Sequence, residues 1–227
     1  MQCAGGMRMY DPVYLKLLRA ACTRYNVHLI ADEIAVGFGR TGTMFACEQA
    51  GITPDFLLLG KGLTGGYLPL SVCLTTDDVY QAFYAEYTAQ KAFLHSHSYT
   101  GNPLACAAAN ATLDIFRDDD VLNRNRQLAA HMTRATAHFE EHPHVVEVRQ
   151  RGMILAIEMV KDKKTRTPYP WQERRGLAVY RHGLEHGALL RPLGNVVYLM
   201  PPYVIKEAEI DQLAKVAWAG IDLATRY

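Results

Sequence analysis

Two short apolar runs, each ending in a charged residue, constrain the fold more than anything else in the sequence. Val27-His28-Leu29-Ile30-Ala31 runs into Asp32-Glu33, and Asp55-Phe56-Leu57-Leu58-Leu59 runs into Gly60-Lys61. Continuous apolar runs of this length read as strands buried on both faces, as in a parallel sheet covered by helices. Leu70-Ser71-Val72-Cys73-Leu74-Thr75 is a third such run. Helical signals flank them. Asp11-Pro12 reads as an N-cap followed by proline at the first helical position, with Leu15, Leu18, Cys22 and Tyr25 at helical spacing beyond it. Asn102-Pro103 repeats the cap ahead of an alanine-rich body suited to close packing. The pattern predicts an α/β fold with a mostly parallel sheet. In such sheets ligands gather at the C-terminal ends of strands. Alone, Asp32 reads as a turn residue and Lys61 as a solvated one. Delivered together by separate strands, a carboxylate and an amine face one ligand. Gly37, Gly39, Gly60, Gly62, Gly65 and Gly66 let backbone approach it closely.

The second half reads differently. Asp118-Asp119-Asp120 is expected to be the polar start of a long helix through Phe139, and a subdomain boundary is expected near residues 112–120. Val145–Arg149 and Met153–Met159 read as strands joined at Gly152, with Lys161–Pro168 a solvated loop. Trp171–His186 reads as a helix closed by Gly187. Ala188–Leu190 and Val196–Leu199 read as strands, and the chain closes on a helix with Ile210, Leu213, Ala217 and Ile221 on one stripe.

The segment Ala31-Asp32-Glu33-Ile34-Ala35-Val36-Gly37-Phe38-Gly39-Arg40-Thr41-Gly42, then Pro54-Asp55 and Gly60-Lys61-Gly62-Leu63-Thr64-Gly65-Gly66, resembles the pyridoxal-phosphate signature of the class III aminotransferases. His95-Ser96-His97-Ser98-Tyr99-Thr100-Gly101-Asn102-Pro103 resembles the family's segment at the cofactor phosphate. The resemblance implies a fold-type I pyridoxal-phosphate-dependent transferase. Residues 1–115 would be the C-terminal part of the large domain (a mostly parallel sheet with helices), and 116–227 a C-terminal α/β small domain. It implies pyridoxal 5'-phosphate as cofactor, with Lys61 carrying it covalently and moving a proton at the substrate. Asp32 would pair with the ring nitrogen, and Ser98, where the family usually has Thr, would bind the phosphate of the neighbouring subunit's cofactor. Arg191-Pro192-Leu193-Gly194-Asn195-Val196-Val197-Tyr198-Leu199-Met200-Pro201-Pro202-Tyr203 resembles the biotin-synthesis branch, as does Gly5-Gly6-Met7-Arg8-Met9-Tyr10. That branch implies S-adenosylmethionine (or lysine) as amino donor and 8-amino-7-oxononanoate as acceptor. Arg191 would hold the acceptor's carboxylate, the task a guanidinium fork suits, with Tyr198 and Ser96 in the same site. The resemblance further implies a homodimer in the full-length enzyme, and the unpaired cysteines lead us to expect a cytoplasmic protein. An ω-amino-acid aminotransferase of the same family, or an inactive fragment, stays open as an alternative. The family's enzymes need about twice these 227 residues, so the chain is expected to be their C-terminal half.

Composition removes other classes. With 24 Lys and Arg against 23 Asp and Glu, net charge is +1, which argues against a nucleic-acid footprint or a polybasic membrane anchor. No window approaches the ~18–20 apolar residues of a membrane span, and the opening residues lead us to expect no secretory signal. The five cysteines are widely spaced and read as reduced, mostly buried thiols rather than a disulfide framework. His182-Gly183-Leu184-Glu185-His186 fits an inverted zinc-protease motif, but Gly187 ends the helix there and no convincing third ligand follows; no metal is expected. His95-x-His97 reads as scaffolding of the site loop, and His142-x-His144 as solvated.

Overall fold

The computed structural model describes residues 1–226, which divide into two compact units interleaved in sequence. One comprises Asp11–Phe38 and Thr43–Asp120. The other comprises Met1–Tyr10, Gly39–Gly42 and Val121 onward.

The first unit opens with helix α1 (Pro12–Arg24), where the Asp11 carboxylate accepts the Val13 N–H at 2.9 Å. A three-stranded sheet follows, β1 (Ile30–Asp32), β2 (Phe56–Leu59) and β3 (Val72–Thr75). β1 and β2 are parallel, with Asp32 opposite Leu58, and β3 is antiparallel to β2. Asp55 braces the entry to both parallel strands. Its carboxylate accepts the Leu29 N–H and the Arg19 guanidinium, each at 2.6 Å, and these bonds hold it below the ordinary carboxylate range. Helices α2 (Asp77–Gln81) and α3 (Pro103–Asp118) complete the unit, with Asn102 capping the Leu104 and Ala105 amides. Its core is small, built around Phe38, Leu59, Leu63 and Ala109.

The strands here are not buried on both faces, as the sequence led us to expect. Ile30 is 60% exposed and Leu74 48%, and α1 has no fully buried residue. The first strand also starts at Ile30 rather than Val27. Cys73 is exposed, and Cys47 is the one fully buried thiol among the five free cysteines.

The second unit has helix α4 (Val121–Thr136) and an antiparallel sheet of β4 (Val145–Arg151), β5 (Ile154–Asp162), β6 (Thr167–Pro168), β7 (Arg191–Leu193) and β8 (Val196–Leu199). Helices α5 (Arg175–Glu185) and α6 (Glu207–Thr225) complete it. The strands run in the order β4-β5-β8-β7, with β6 on β5. The alternation of β5 sorts its side chains to two faces. Leu155, Ile157 and Met159 enter the main core with Met132, Phe139, Val179, Leu190, Ile210 and Ile221. Ile154 and Ala156 face the other way, packing with Val196, Tyr198 and the N-terminal Met7. Arg149 secures that segment, donating to the Gly6 and Met7 carbonyls and pairing with Glu158.

Several boundaries differ from expectation. α3 runs through Asp118 and α4 starts at Val121, so the acidic run ends one helix and links it to the next. α4 gives way to a 3-10 turn at Ala137–Glu141. α5 starts at Arg175, because Arg174 takes a left-handed φ of 49° that ends the short turn at Trp171–Glu173. Ala188–Leu190 forms no strand, although Ala188 and Leu190 are buried. His142 is buried rather than solvated, packed against Trp218.

Candidate active site

Parallel pairing brings Asp32 and Lys61 to one edge of the first sheet. Asp32 is the last residue of β1, and Lys61 follows β2 by one glycine. Both are exposed at this edge. Asp32 Oδ1 accepts the Ile34 N–H at 3.0 Å, which orients the carboxylate. Lys61 has a φ of 41°, in the left-handed region a non-glycine residue enters only when its surroundings over-determine it. It heads the 3-10 turn Lys61–Thr64, whose Leu63 and Thr64 are buried. A Cβ on Gly62 would lie 3.0 Å from the Phe38 ring, so Phe38 would have to shift by a few tenths of an ångström to admit a side chain there.

Ser96 and Ser98 belong to the same unit, in the exposed segment before α3. Ser98 lies in a turn held by His97, whose Nδ1 accepts the Tyr99 N–H at 3.1 Å and whose own N–H donates to Thr100 Oγ1 at 3.0 Å. Arg191 and Tyr198 lie in the other unit and are direct cross-strand partners on β7 and β8, so their side chains share one face. Arg191 is exposed and Tyr198 half-buried.

Two contributions escaped the sequence reading. Arg40, quoted there only as part of a motif, donates to the Pro201 carbonyl at 2.5 Å and stacks over Tyr203, its Cζ 4.4 Å from the ring centroid. It thus pins the segment leaving β8. Burial pushes the Tyr203 hydroxyl up to about 12, against the pull of Arg40. The second is Glu33, a fully buried carboxylate one residue from Asp32. The Asp-Glu pair at a strand end was its only signal, since alternation sends the two side chains to opposite sides.

His182 and His186 stack near the end of α5, with ring centroids 4.1 Å apart. Among the described residues no group of three or more His, Cys, Asp or Glu is placed to hold a metal ion. Among them, too, no helix is long and apolar enough to cross a membrane.

A strand-end carboxylate and a strand-end amine at the same end of two parallel strands suit a ligand that needs both. The model of the class-III aminotransferases matches residues 1–217, and the chain belongs to that family. Relatives named adenosylmethionine-8-amino-7-oxononanoate aminotransferase include one from Helicobacter pylori, 49% identical over 97% of this chain and 49% of the relative. Another, from Geobacter sulfurreducens, is 47% identical over 94% of this chain and 47% of the relative. The crystal structure of the same-named enzyme from Methanocaldococcus jannaschii superposes with a TM-score of 0.93 at 42% identity, covering 97% of this chain and 51% of that one. An omega transaminase from Pseudomonas jessenii, in complex with PMP, gives a TM-score of 0.93 at 30% identity, covering all of this chain and 50% of that one. The fold is accordingly that of the fold-type I transferases, and the chain spans about half the length of the relatives it matches.

Proposed function

We propose that this chain carries the cofactor lysine and the acceptor-binding arginine of a pyridoxal-phosphate-dependent aminotransferase of biotin synthesis. The reaction moves the amino group of S-adenosylmethionine to 8-amino-7-oxononanoate, giving 7,8-diaminononanoate. The observation that carries the reading is the placement of Asp32 and Lys61 at adjoining ends of two parallel strands.

The residues fit the cofactor. Among the described residues Asp32 takes a single hydrogen bond, from Ile34, leaving its second oxygen for a ring N–H. Lys61, exposed and held at a strained backbone angle, presents an amine. When bound, pyridoxal phosphate supplies an electron sink for charge developing at the substrate Cα. Lys61 holds the cofactor and moves the proton at Cα. Asp32 keeps the ring nitrogen protonated. Ser98 donates its hydroxyl to a phosphate, in the partner subunit of a cytoplasmic homodimer. Arg191 holds the acceptor's carboxylate by paired hydrogen bonds, with Tyr198 beside it on the same face; Ser96 is a substrate-binding residue in this reading as well. In this reading residues 1–115 supply part of a cofactor-binding large domain and 116–227 the small domain. The identities of 47–49% to the biotin-branch relatives, against 30% to the omega transaminase, favour this substrate pair over an ω-amino acid.

The test is borohydride reduction of the chain after incubation with pyridoxal phosphate, followed by peptide mapping. We expect the reduced adduct on Lys61 and none in Lys61→Ala. Labelling spread over several lysines, unchanged by Lys61→Ala, would refute the assignment. For Arg191, the expected result of Arg191→Lys is weaker binding of 8-amino-7-oxononanoate, by about tenfold or more, with little change for the amino donor. Equal losses for both ligands would remove the role.

A further inference from the structure

Glu33 has no part in the chemistry just described, yet it is built into the site with unusual thoroughness. It is 3% exposed. Its Oε2 accepts the Ala46 N–H at 2.6 Å, and its Oε1 accepts the Cys47 N–H at 2.8 Å. These are the first two amides of the 3-10 turn Ala46–Ala50, donors that a helical turn leaves without internal partners. Burial, then the neighbouring Glu33 carboxylate, pushes the Cys47 thiol up to about 12. Among the described residues no Lys, Arg or His pairs with Glu33. Its carboxylate is therefore held by the Ala46 and Cys47 amides and by a hydrogen bond from the Cys47 thiol, an arrangement that needs every one of its hydrogen bonds.

The backbone of the same residue is tied twice more. Its N–H extends the β1–β2 ladder to the Leu58 carbonyl at 3.0 Å. Its carbonyl accepts the Gly37 N–H at 2.8 Å and the Val36 N–H at 3.2 Å. Glu33 thus joins the sheet, the turn after β1 and the 43–51 segment. The amide that orients Asp32, Ile34 N–H, lies inside that turn.

We infer that Glu33 is a positioning residue, whose buried carboxylate fixes the turn from which the Ile34 amide aims Asp32 at the ring nitrogen of the cofactor. The inference rests on the cofactor reading above. A residue that merely braced the 43–51 segment would leave Asp32 and the ring nitrogen unaffected, which is how the two roles separate.

The experiment compares the wild-type chain with Glu33→Gln in two measurements. The first is amide hydrogen exchange. Exchange at Ala46 and Cys47 should rise by about tenfold or more when the charged acceptor is lost, and Ile34 should rise with them. An unchanged Ile34 beside fast Ala46 and Cys47 would overturn the inference. The second is retention of pyridoxal phosphate against its 1-deaza analogue, which lacks the ring nitrogen. Glu33→Gln should weaken retention of pyridoxal phosphate and leave that of the analogue as in the wild type. Equal weakening of both, or of neither, would overturn it. Failure of the wild-type chain to trap cofactor on Lys61 would sink the cofactor reading and this inference together. Normal trapping with an indifferent Glu33→Gln would sink this inference alone. If Glu33→Gln loses protection throughout α3, and so has not folded, Glu33→Asp, which keeps the charge at shorter reach, is read in both measurements by the same criteria.

Discussion

At the scale of single residues, His142 shows what a sequence pattern conceals. As one half of a His-x-His pair after Glu140-Glu141 it reads as solvated, yet it is 3% exposed. Its ring stands edge-on to Trp218, with centroids 4.9 Å apart, and its Nδ1 accepts the His144 N–H at 3.1 Å. Lys163 caps the Glu140 and His142 carbonyls close by. Burial, then His144, holds the His142 ring below its ordinary value of 6.5; Asp222 pulls the other way and Lys163 adds to the depression. Above about 6.5 the ring is neutral in folded and unfolded chains alike, and it does not make stability depend on pH. As pH falls below that value the unfolded chain takes up the proton first, so stability drops until the lower folded value is passed. The urea midpoint of the second unit, followed by Trp218 fluorescence, should therefore fall between pH 7 and 5 (about the range a histidine spans). In His142→Gln that part of the decline should flatten. Nothing in the local sequence signals this burial, because Trp218 arrives from α6, far along the chain. The strand-end placement of Asp32 and Lys61 was legible for the opposite reason. Each closes an apolar run, and a strand end is a local feature.

At the scale of elements, the chain announces the helix starts that carry an Asx-Pro cap and hides some of its strands. The caps at Asp11-Pro12 and Asn102-Pro103 and the glycine after α5 formed as their residues dictate, since capping is chemistry between near neighbours. Ala188–Leu190 has a strand's apolar character but no ladder, and the reason lies in register. The turn at Gly194-Asn195 sets Leu193 opposite Val196, so pairing runs back only to Arg191 opposite Tyr198 before β8 ends ahead of Pro201-Pro202. Pairing is a property of two segments, and one segment's composition does not reveal it. The β4–β5 hairpin tests the point at its tightest spot. Gly152 has a φ of 56°, and a Cβ there would come within 2.5 Å of the Arg40 carbonyl and 2.6 Å of the Thr41 carbonyl carbon. These are backbone atoms, which cannot swing aside. Gly152→Ala should cost about 3 kcal/mol, from the left-handed conformation and overpacking together, read as a lower urea midpoint for β4 and β5 by hydrogen exchange. A loss below about 0.5 kcal/mol, the range of ordinary surface changes, would show that this approach is not a constraint.

At the scale of the whole molecule the two units are unequally furnished. The second has a continuous core in which Met132, Phe139, Leu155, Ile157, Met159, Ile210 and Ile221 are fully buried. The first has a smaller cluster around Phe38, Leu59, Leu63 and Ala109, with Leu29, Val36, Cys47 and Ala105 also buried, and leaves Leu17 64%, Ile30 60% and Leu74 48% exposed. Apolar runs in a sequence state which residues suit an interior; they do not state which polypeptide supplies the other side of it. That is why strands read as doubly covered stand open in a chain that spans about half the length of its relatives. Because a thin core offsets less chain entropy, the first unit should open at lower urea than the second. Hydrogen exchange resolved by peptide should show residues 11–38 and 43–120 losing protection before 121–226. The exposed face should bind a hydrophobic dye under native conditions. Substitution separates the two situations further. Leu17→Lys should change stability by no more than about 0.5 kcal/mol and reduce dye binding, since its side chain is already in water. Ile157→Ala should cost about 2–5 kcal/mol, since it empties a filled interior. A Leu17→Lys loss as large as that of Ile157→Ala would mean that the face is covered in solution, by a second copy of the chain if the loss depends on protein concentration.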